Sequence, residues 1–260
     1  MRPLPYLREI SLKAGSSAVA EYPFTIPAVR HLNRLVFDAR VTFLVGENGT
    51  GKSTLLEAIA VALGFNAEGG SRNFNFSTRS SHSQLHQHLR LVRSYQRPRD
   101  GFFLRAESFF NVATEIERLD TDNGTGPPIG DAYGRRSLHE QSHGESFFSL
   151  VMHRFRGKGL YILDEPEAAL SPKRQLAMLR RLRQLVHLDS QFIIATHSPI
   201  LLAYPNARIL VLDERGYTPT PYQETEHYRI SKAFLDDPSA GLKQTFADED
   251  DTVETPEQHN

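Results

Sequence analysis

Four short apolar runs recur along the chain, and segments that suit loops or helices separate them. The first, RVTFLVG (Arg40 to Gly46), ends in glycine and precedes the helix-compatible stretch STLLEAIAVAL, which Gly64 closes. The other three read GLYILDE, QFIIAT and ARILVLD. Unbroken apolarity in a short run is typical of strands that are buried on both faces of a parallel sheet. The alternation of strands and helices therefore predicts an α/β fold with a mainly parallel, doubly wound sheet.

Two regions depart from this pattern. The opening segments YLREISLK, VAEYPFTIP and RLVF alternate between apolar and polar positions and carry turn signals, so they predict an antiparallel β edge. Residues from about 65 to 140 are rich in Ser, Asn, His and Arg and contain two helix-compatible stretches, Gln84 to Arg93 and Ser108 to Leu119. We interpret this region as a small, helical inserted lobe. Between the second and third apolar runs, Ser171 to His187 predicts a further helix, with Ser171 as its cap and Pro172 in its first turn.

Charge is unevenly distributed along the chain. Residues 248 to 260 carry six acids and no Lys or Arg, which leaves the remainder with a net charge of +5. Because an acidic, proline-containing end with one Val cannot bury enough surface to order itself, we expect residues 247–260 to be a disordered acidic tail.

The chain has no cysteine, which excludes disulfides and thiolate metal sites and is compatible with a reducing, cytoplasmic location. No stretch approaches the roughly 20 apolar residues that cross a bilayer, so no membrane insertion is expected.

A glycine-rich loop directly follows the first apolar run. It fits the pattern G-x-x-x-x-G-K-[ST] and lies between a predicted buried strand and a predicted helix. Its backbone N–H groups can surround a phosphate, Lys52 can reach the β- and γ-phosphates of a nucleotide, and the Ser53 hydroxyl can bind Mg²⁺. The alternative is a turn that merely joins strand to helix. The candidate nucleotide-binding residues are Gly46, Glu47, Asn48, Gly49, Thr50, Gly51, Lys52, Ser53 and Thr54.

A carboxylate pair, Asp164 and Glu165, ends the second apolar run. Open α/β sheets bind ligands at the carboxyl ends of their strands, so both side chains are expected at the ligand edge. Asp164 would hold Mg²⁺ through water, and Glu165 would orient and deprotonate an attacking water. A strand-ending turn, Asp-Glu-Pro, is the alternative interpretation.

Two further motifs resemble the ABC-type ATPases. Gln141-Ser-His-Gly-Glu-Ser146 is similar to the signature motif of that family, and Ala195-Thr-His-Ser-Pro199 resembles its switch-histidine segment. The resemblance implies that His197 contacts the γ-phosphate. It also implies that Ser142, His143, Gly144 and Glu145 contact the ATP of a partner subunit. Within the superfamily, the reading Pro166-Glu167 after the carboxylates is more similar to stand-alone ATPases of the SMC, RecF and OLD groups than to transporter subunits.

The resemblance implies an ABC-type ATPase domain over residues 1–246 that binds ATP and Mg²⁺ and pairs head to tail as a homodimer. Three classes of function remain open. The first is an ATPase acting on DNA or on a partner protein, the second is the ATP-binding subunit of a membrane ABC transporter, and the third is a non-enzymatic ATP sensor.

The glutamine of the family's Q-loop has no obvious counterpart, although Glu107 lies at a suitable position. Tyr22 and Phe24 are candidates for stacking on adenine, and the packing of a strand would explain them equally well.

The predicted lobe is strongly basic between Arg72 and Arg105. This stretch holds seven arginines and three histidines against a single acid, Asp100. Such a surface can neutralise nucleic-acid phosphates. The alternative is a solvated face that contacts an acidic protein or the chain's own tail. A DNA or protein partner is therefore expected to bind the lobe at residues 72–105.

Overall fold

The structure is a computed structural model that describes residues 5–16, 21–72, 83–106, 109, 114 and 143–250. It divides into two compact units, Met1–Thr220 and Pro221–Asn260. In chain order the strands and helices are β1 (Leu7–Leu12), α1 (Pro27–Arg30), β2 (Leu35–Val36), β3 (Val41–Val45), α2 (Lys52–Ala62), α3 (Leu85–His88), β4 (Leu89–Arg93), β5 (Asp100–Arg105), α4 (His143–His153), β6 (Gly159–Asp164), α5 (Pro172–His187), β7 (Gln191–Ala195), α6 (Pro199–Leu202), β8 (Arg208–Asp213), β9 (Gly216–Pro219), α7 (Glu226–Asp236) and α8 (Pro238–Asp250).

A six-stranded sheet lies at the centre of the first unit, with the spatial order β5-β6-β7-β3-β8-β9. The first five strands run parallel, and β9 pairs antiparallel with β8. Every residue of β3, β6 and β7 is buried, as the apolar runs predict. Helix α2 packs against β6 and β7, and α5 buries Met178, Leu182 and Leu185. The predicted α/β class with a mainly parallel sheet is confirmed.

The antiparallel strands form a small sheet of their own, in the order β2-β1-β4. The side chain of Gln191, at the start of β7, joins this sheet to the central one. Its Oε1 accepts from the backbone N–H of Leu7 (2.9 Å), and its Nε2 donates to the Leu7 carbonyl (2.8 Å). Two of the opening segments supply β1 and β2, whereas residues 21–26 of the segment VAEYPFTIP form turns that lead into α1. The strand predicted there is wrong over those residues.

The third strand of the small sheet comes from the region predicted to be helical. Over Gln84 to Arg93 only one helical turn, α3, forms, and β4 follows it at once. Leu89 is buried and Arg90 exposed, and pairing with β1 gives this alternating segment backbone partners that a surface helix would lack. The helix predicted across these residues is therefore wrong in its second half. Strand β5 also lies within the predicted lobe and forms one edge of the central sheet. Of the second predicted helix, Ser108 to Leu119, only Phe109 and Thr114 belong to the described residues.

The second unit consists of α7 and α8, preceded by a 3₁₀ turn at Tyr222–Glu224. The Thr225 hydroxyl caps α7 by accepting from the backbone N–H of Tyr228 (3.3 Å). Helix α8 extends through Asp250 and so includes residues 247–250, which the sequence analysis assigned to the tail. The unit boundary after Thr220 also differs from the single domain expected over residues 1–246. Among the helices that the structure describes, none combines the length and apolarity needed to cross a membrane.

Candidate nucleotide-binding site

The glycine-rich loop directly follows β3 and opens α2, as its sequence context predicts. Two of its glycines have no room for a side chain. A Cβ at Gly46 would lie 2.4 Å from the carbonyl oxygen of Leu212, and one at Gly51 would lie 2.5 Å from Ile26 Cδ1. Gly51 also has φ +93°, a conformation that other residues rarely adopt. Packing against β8 and the segment before α1 therefore fixes the course of the loop.

Lys52 lies inside this loop and is only 4% exposed. Its Nζ donates to the carbonyl oxygens of Gly46 (2.7 Å) and Glu47 (2.9 Å). Burial lowers the pKa of the Lys52 ammonium, and the nearby carboxylates of Glu165 and Asp164 act in the opposite direction. The charge of Lys52 is thus held close to the loop backbone and faces two acids.

Ser53 and Asp164 meet although 111 residues separate them in the chain. The Ser53 hydroxyl donates to Asp164 Oδ1 at 3.1 Å. Asp164 is 5% exposed, and its burial raises its pKa to about 6, against the opposing effects of Arg105 and of the Ser53 hydrogen bond. A hydroxyl and a carboxylate are oxygen donors of the kind that Mg²⁺ binds, so this pair fits the predicted metal position.

Arg105 was missed as a site residue, because the sequence analysis counted it in the basic lobe. It ends β5, and the strand register places it opposite Asp164. Its Nη1 donates to Glu57 Oε2 (2.8 Å) on α2, and its Nε lies 3.6 Å from Asp164 Oδ2. The side chain is 18% exposed. The lobe therefore contributes a partly buried cation to the site, which only the pairing of β5 with β6 reveals.

Glu165 and His197 come together beside this group. Glu165 has φ +49°, and its backbone N–H donates to the Ala195 carbonyl (3.0 Å), which ties the end of β6 to the end of β7. Its carboxylate Oε1 lies 3.8 Å from His197 Nε2, and both side chains are partly exposed. Burial and the charge of Lys52 lower the pKa of His197, and Glu165 opposes them. The two side chains form an open edge of the site where a small molecule can approach.

Glu167 is a second residue whose place the sequence analysis did not foresee. Its carboxylate Oε1 accepts the backbone N–H of His197 at 2.5 Å. Burial raises the pKa of Glu167, against the hydrogen bonds from the His197 N–H and the Thr196 side chain. On the other side of the histidine, the Ser198 hydroxyl caps α6 and donates to Gln175 Oε1 (2.5 Å). Hydrogen bonds to Glu167 and to Gln175 therefore fix residues 196–198, which we call the histidine loop.

The signature-like segment is only partly described, and Ser142 lies outside the described residues. His143 begins α4. A Cβ at Gly144 would lie 2.3 Å from the carbonyl oxygen of Ala169, so the first turn of α4 packs closely on the 3₁₀ helix Pro166–Ala169. Glu145 pairs with Arg174 of α5 (3.2 Å).

The two adenine-stacking candidates lie in different surroundings. Tyr22 is 65% exposed, and its hydroxyl lies 3.4 Å from Thr54 Oγ1, beside the start of α2. Phe24 packs edge-on against His88, with ring centroids 5.0 Å apart. Because Tyr22 lies beside the nucleotide loop, it is a better candidate than Phe24 for stacking on adenine.

Fewer arginines of the basic lobe can contact an external partner than its composition suggests. Arg105 is partly buried and pairs with Glu57, Arg93 donates to the Ala62 carbonyl (3.0 Å) and Arg72 lies over the ring of Phe65. Arg90 and Arg97 are exposed. Asp100, the single acid of this stretch, pairs with Arg154 (2.8 Å).

Two family models match the part of the chain that carries the nucleotide loop and the carboxylate edge. The profile of the family "AAA domain" matches residues 24–147, and that of "AAA domain, putative AbiEii toxin, Type IV TA system" matches residues 132–203. The two matches together include all of the motifs described above. Residues 24–203 are thus similar to AAA domains.

Individual proteins that are similar to this chain have low sequence identity to it. An "Uncharacterized ABC transporter ATP-binding protein" of Haemophilus influenzae is 26% identical over 200 residues, which are 72% of this chain and 75% of the relative. The SMC head domain of Thermotoga maritima is 16% identical and covers 83% of this chain and 99% of its own, with a TM-score of 0.41. The cbiO1 protein of Clostridium perfringens, part of the ABC transporter complex cbiONQ, is 17% identical and covers 93% of this chain and 99% of its own, with a TM-score of 0.47.

Asp164→Asn is expected to stabilise the nucleotide-free protein above about pH 6. Because the pKa of Asp164 is raised from 3.8 to about 6 on folding, the folded chain binds a proton more readily than the unfolded chain between these values. The free energy of unfolding of the wild type therefore falls as the pH rises through this window, and stays reduced above it. Asparagine removes the buried charge, and we expect a gain of about 1–3 kcal/mol.

Urea unfolding at about pH 4 and about pH 7.5 measures this difference, which should be present only at the higher value. An asparagine variant that is less stable than the wild type at about pH 7.5 would contradict the prediction. It would mean that Arg105 and Ser53 fully compensate the charge of Asp164.

Proposed function

We propose that this chain binds and hydrolyses MgATP at a site that a second copy completes. One observation supports this most strongly. The ends of three adjacent parallel strands, β3, β6 and β7, bring a buried lysine, a hydroxyl, two carboxylates and a histidine into one group. Ligands of open α/β sheets bind at this edge.

The loop from Gly46 to Thr54 would hold the phosphates. It opens α2, an eleven-residue helix, so free backbone N–H groups and the positive end of the helix dipole favour an anion there. Lys52 donates to two loop carbonyls, and phosphate oxygens would replace one or both of these acceptors. Its buried charge then gains a fully charged partner, which supports tight binding of the triphosphate.

Ser53 and Asp164 would hold Mg²⁺, Asp164 through water. When bound, the metal neutralises the negative charge of the phosphates. Within the described part of the chain, no group of three His, Asp or Glu side chains could hold a metal by itself. This agrees with an ion that enters together with the nucleotide, since Mg²⁺ usually combines one or two protein ligands with phosphate oxygens.

Glu165 would act as the general base, and His197 would contact the γ-phosphate. The Glu165 carboxylate is 42% exposed, so a water molecule can reach it. It would take a proton from the water that attacks the γ-phosphorus atom. Because the pKa of His197 is lowered, its imidazole is neutral near pH 7 and can donate one hydrogen bond to a phosphate oxygen. Glu167 keeps this histidine in place through its backbone N–H.

A second copy would supply Ser142, His143, Gly144 and Glu145 to the γ-phosphate. The support is the resemblance of this segment to the ABC signature motif. Gly144 adds a structural argument, because its close packing on Ala169 links the first turn of α4 to the segment that follows Glu165. In a head-to-tail homodimer, two ATP molecules would lie between the copies. Binding would close the dimer, and hydrolysis would open it.

The partner and the compartment are part of the same proposal. An ATPase needs the ATP pool of the cytoplasm, which a chain without cysteine can occupy in reduced form. The net charge of +5 outside the acidic end of the chain favours DNA or an acidic protein as its partner. A second candidate is the ATP-binding subunit of a membrane transporter, favoured by the printed name of the Haemophilus relative. ATP turnover that appears only with a co-expressed membrane protein would favour this second candidate.

Lys52→Ala is expected to abolish ATP binding, because the phosphates lose the one ammonium that is buried against the loop. We expect the dissociation constant for MgATP to rise at least about 100-fold, which corresponds to about 3 kcal/mol. Titration of a fluorescent ATP analogue measures it. Lys13→Ala, at an exposed lysine that donates to the Gln87 carbonyl, is the matched control and should bind normally. Unchanged binding by the Lys52 variant would exclude the loop as the phosphate site.

Glu165→Gln is expected to lower steady-state ATP hydrolysis by at least about 100-fold while MgATP still binds, because glutamine keeps the shape but cannot accept the proton. Phosphate release measures turnover, and the same variant controls for contaminating ATPases. If the wild-type protein binds MgATP but releases phosphate no faster than the variant, the proposed ATPase activity is contradicted. The protein would then be an ATP sensor.

A further inference from the structure

Helix α5 has an unusual charge composition. Its sixteen residues, PKRQLAMLRRLRQLVH, include five lysines and arginines and no acid. Its buried face consists of Gln175, Met178, Leu182 and Leu185. The basic residues therefore lie at the sides and on the outer face of the helix. Like charges this close together repel one another unless anions neutralise them.

Two of the five basic residues have partners inside the fold. Arg174 pairs with Glu145, and Arg181 donates to the Phe155 carbonyl (2.7 Å). Lys173, Arg180 and Arg183 are exposed, and among the described residues no carboxylate lies within ion-pair distance of them. These three cations are available to an external anion.

The three exposed cations form a line along the helix together with His187. Lys173, Arg180, Arg183 and His187 follow one another at spacings of seven, three and four residues, which places them on one face. With a rise of about 1.5 Å per residue, the line from Lys173 to His187 is about 21 Å long. We call these four residues the basic stripe. One DNA strand carries a phosphate about every 3.4 Å of helix axis, so the stripe can face about six phosphates.

A shallow, open groove of about 630 Å³ lies beside the last turns of α5, and Arg180, Arg183, His187 and Leu188 are among the residues that line it. Arg183 and His187 also line a cleft of about 950 Å³ at the amino ends of β3 and β7, which Tyr204 borders. This is the end of the sheet opposite the nucleotide loop. Both acids of the cleft have arginine partners: Asp38 pairs with Arg208 and Asp189 with Arg40. The end of the stripe at Arg183 and His187 thus borders a cleft in which both acids are paired with arginines.

We propose that the basic stripe of α5, with the groove beside it, binds the phosphate backbone of a nucleic acid. Guanidinium groups bind phosphate oxygens through paired hydrogen bonds, and a nucleic acid presents phosphates continuously along the whole length of the stripe. The proposal names a surface different from the lobe expected from sequence, in which Arg72, Arg93 and Arg105 have internal contacts. It also does not depend on ATP hydrolysis, because the stripe and the nucleotide loop lie at opposite ends of the sheet.

The test is the binding of the full chain to a labelled DNA duplex of about three helical turns, and to its single strand, measured by fluorescence anisotropy over a series of salt concentrations. Three phosphate contacts predict a slope of log K against log salt of about −3 for the duplex. Arg180→Gln combined with Arg183→Gln should reduce the slope by about two and weaken binding at low salt by about tenfold. ATP hydrolysis measured without DNA should be unchanged in this variant, so failure of either proposal can be recognised separately.

The matched control is Arg90→Gln combined with Arg97→Gln, which removes the same charge from the exposed lobe. We expect this variant to bind DNA within about twofold of the wild type. Loss of binding in the control alone, or equal loss in both variants, would overturn the proposal in favour of the lobe or of net charge. No detectable binding of either DNA by the wild type, or equally tight binding of polyglutamate, would overturn it as well.

Discussion

The arrangement of the first unit depends on the burial of two opposite charges, Lys52 and Asp164, at one edge of a parallel sheet. Isolated charges with such low exposure would be strongly destabilising. Here two loop carbonyls accept from the lysine, and a serine donates to the aspartate with an arginine close by. These partners offset only part of the cost of burying the two charges. As proposed above, a ligand with negative phosphates and a divalent cation would offset the rest.

The strand order makes this possible. Because β6 and β7 lie side by side, the segments that follow them meet, and Glu165 bonds to Ala195 while Glu167 bonds to His197. Helix α5 extends this connection away from the site. Near its start, Gln175 bonds both to the Leu170 carbonyl and to the Ser198 hydroxyl. The basic stripe extends along the exposed face of α5 from Lys173 to His187. The same helix therefore contacts the histidine loop and presents the surface proposed for nucleic acid.

The sequence predicted those features that depend on neighbouring residues. The apolar runs identified β3, β6, β7 and β8, and the nucleotide loop was recognised because its glycines, lysine and serine are consecutive. Features set by distant segments were not predictable. Strand β4 forms because β1 offers it a partner, and Arg105 lies beside Asp164 because β5 pairs with β6. The roles assigned to Ser142 and His143 in a partner's site stay predictions, as do those of the other site residues.

The central claim is that the site is completed by a second copy of the chain. The most direct measurement is the molar mass of the Glu165→Gln protein by light scattering, without nucleotide, with MgADP and with MgATP. The account predicts twice the chain mass of 29.4 kDa with MgATP and the single chain mass in the other two conditions. A protein that keeps the single chain mass when saturated with MgATP would contradict the shared site.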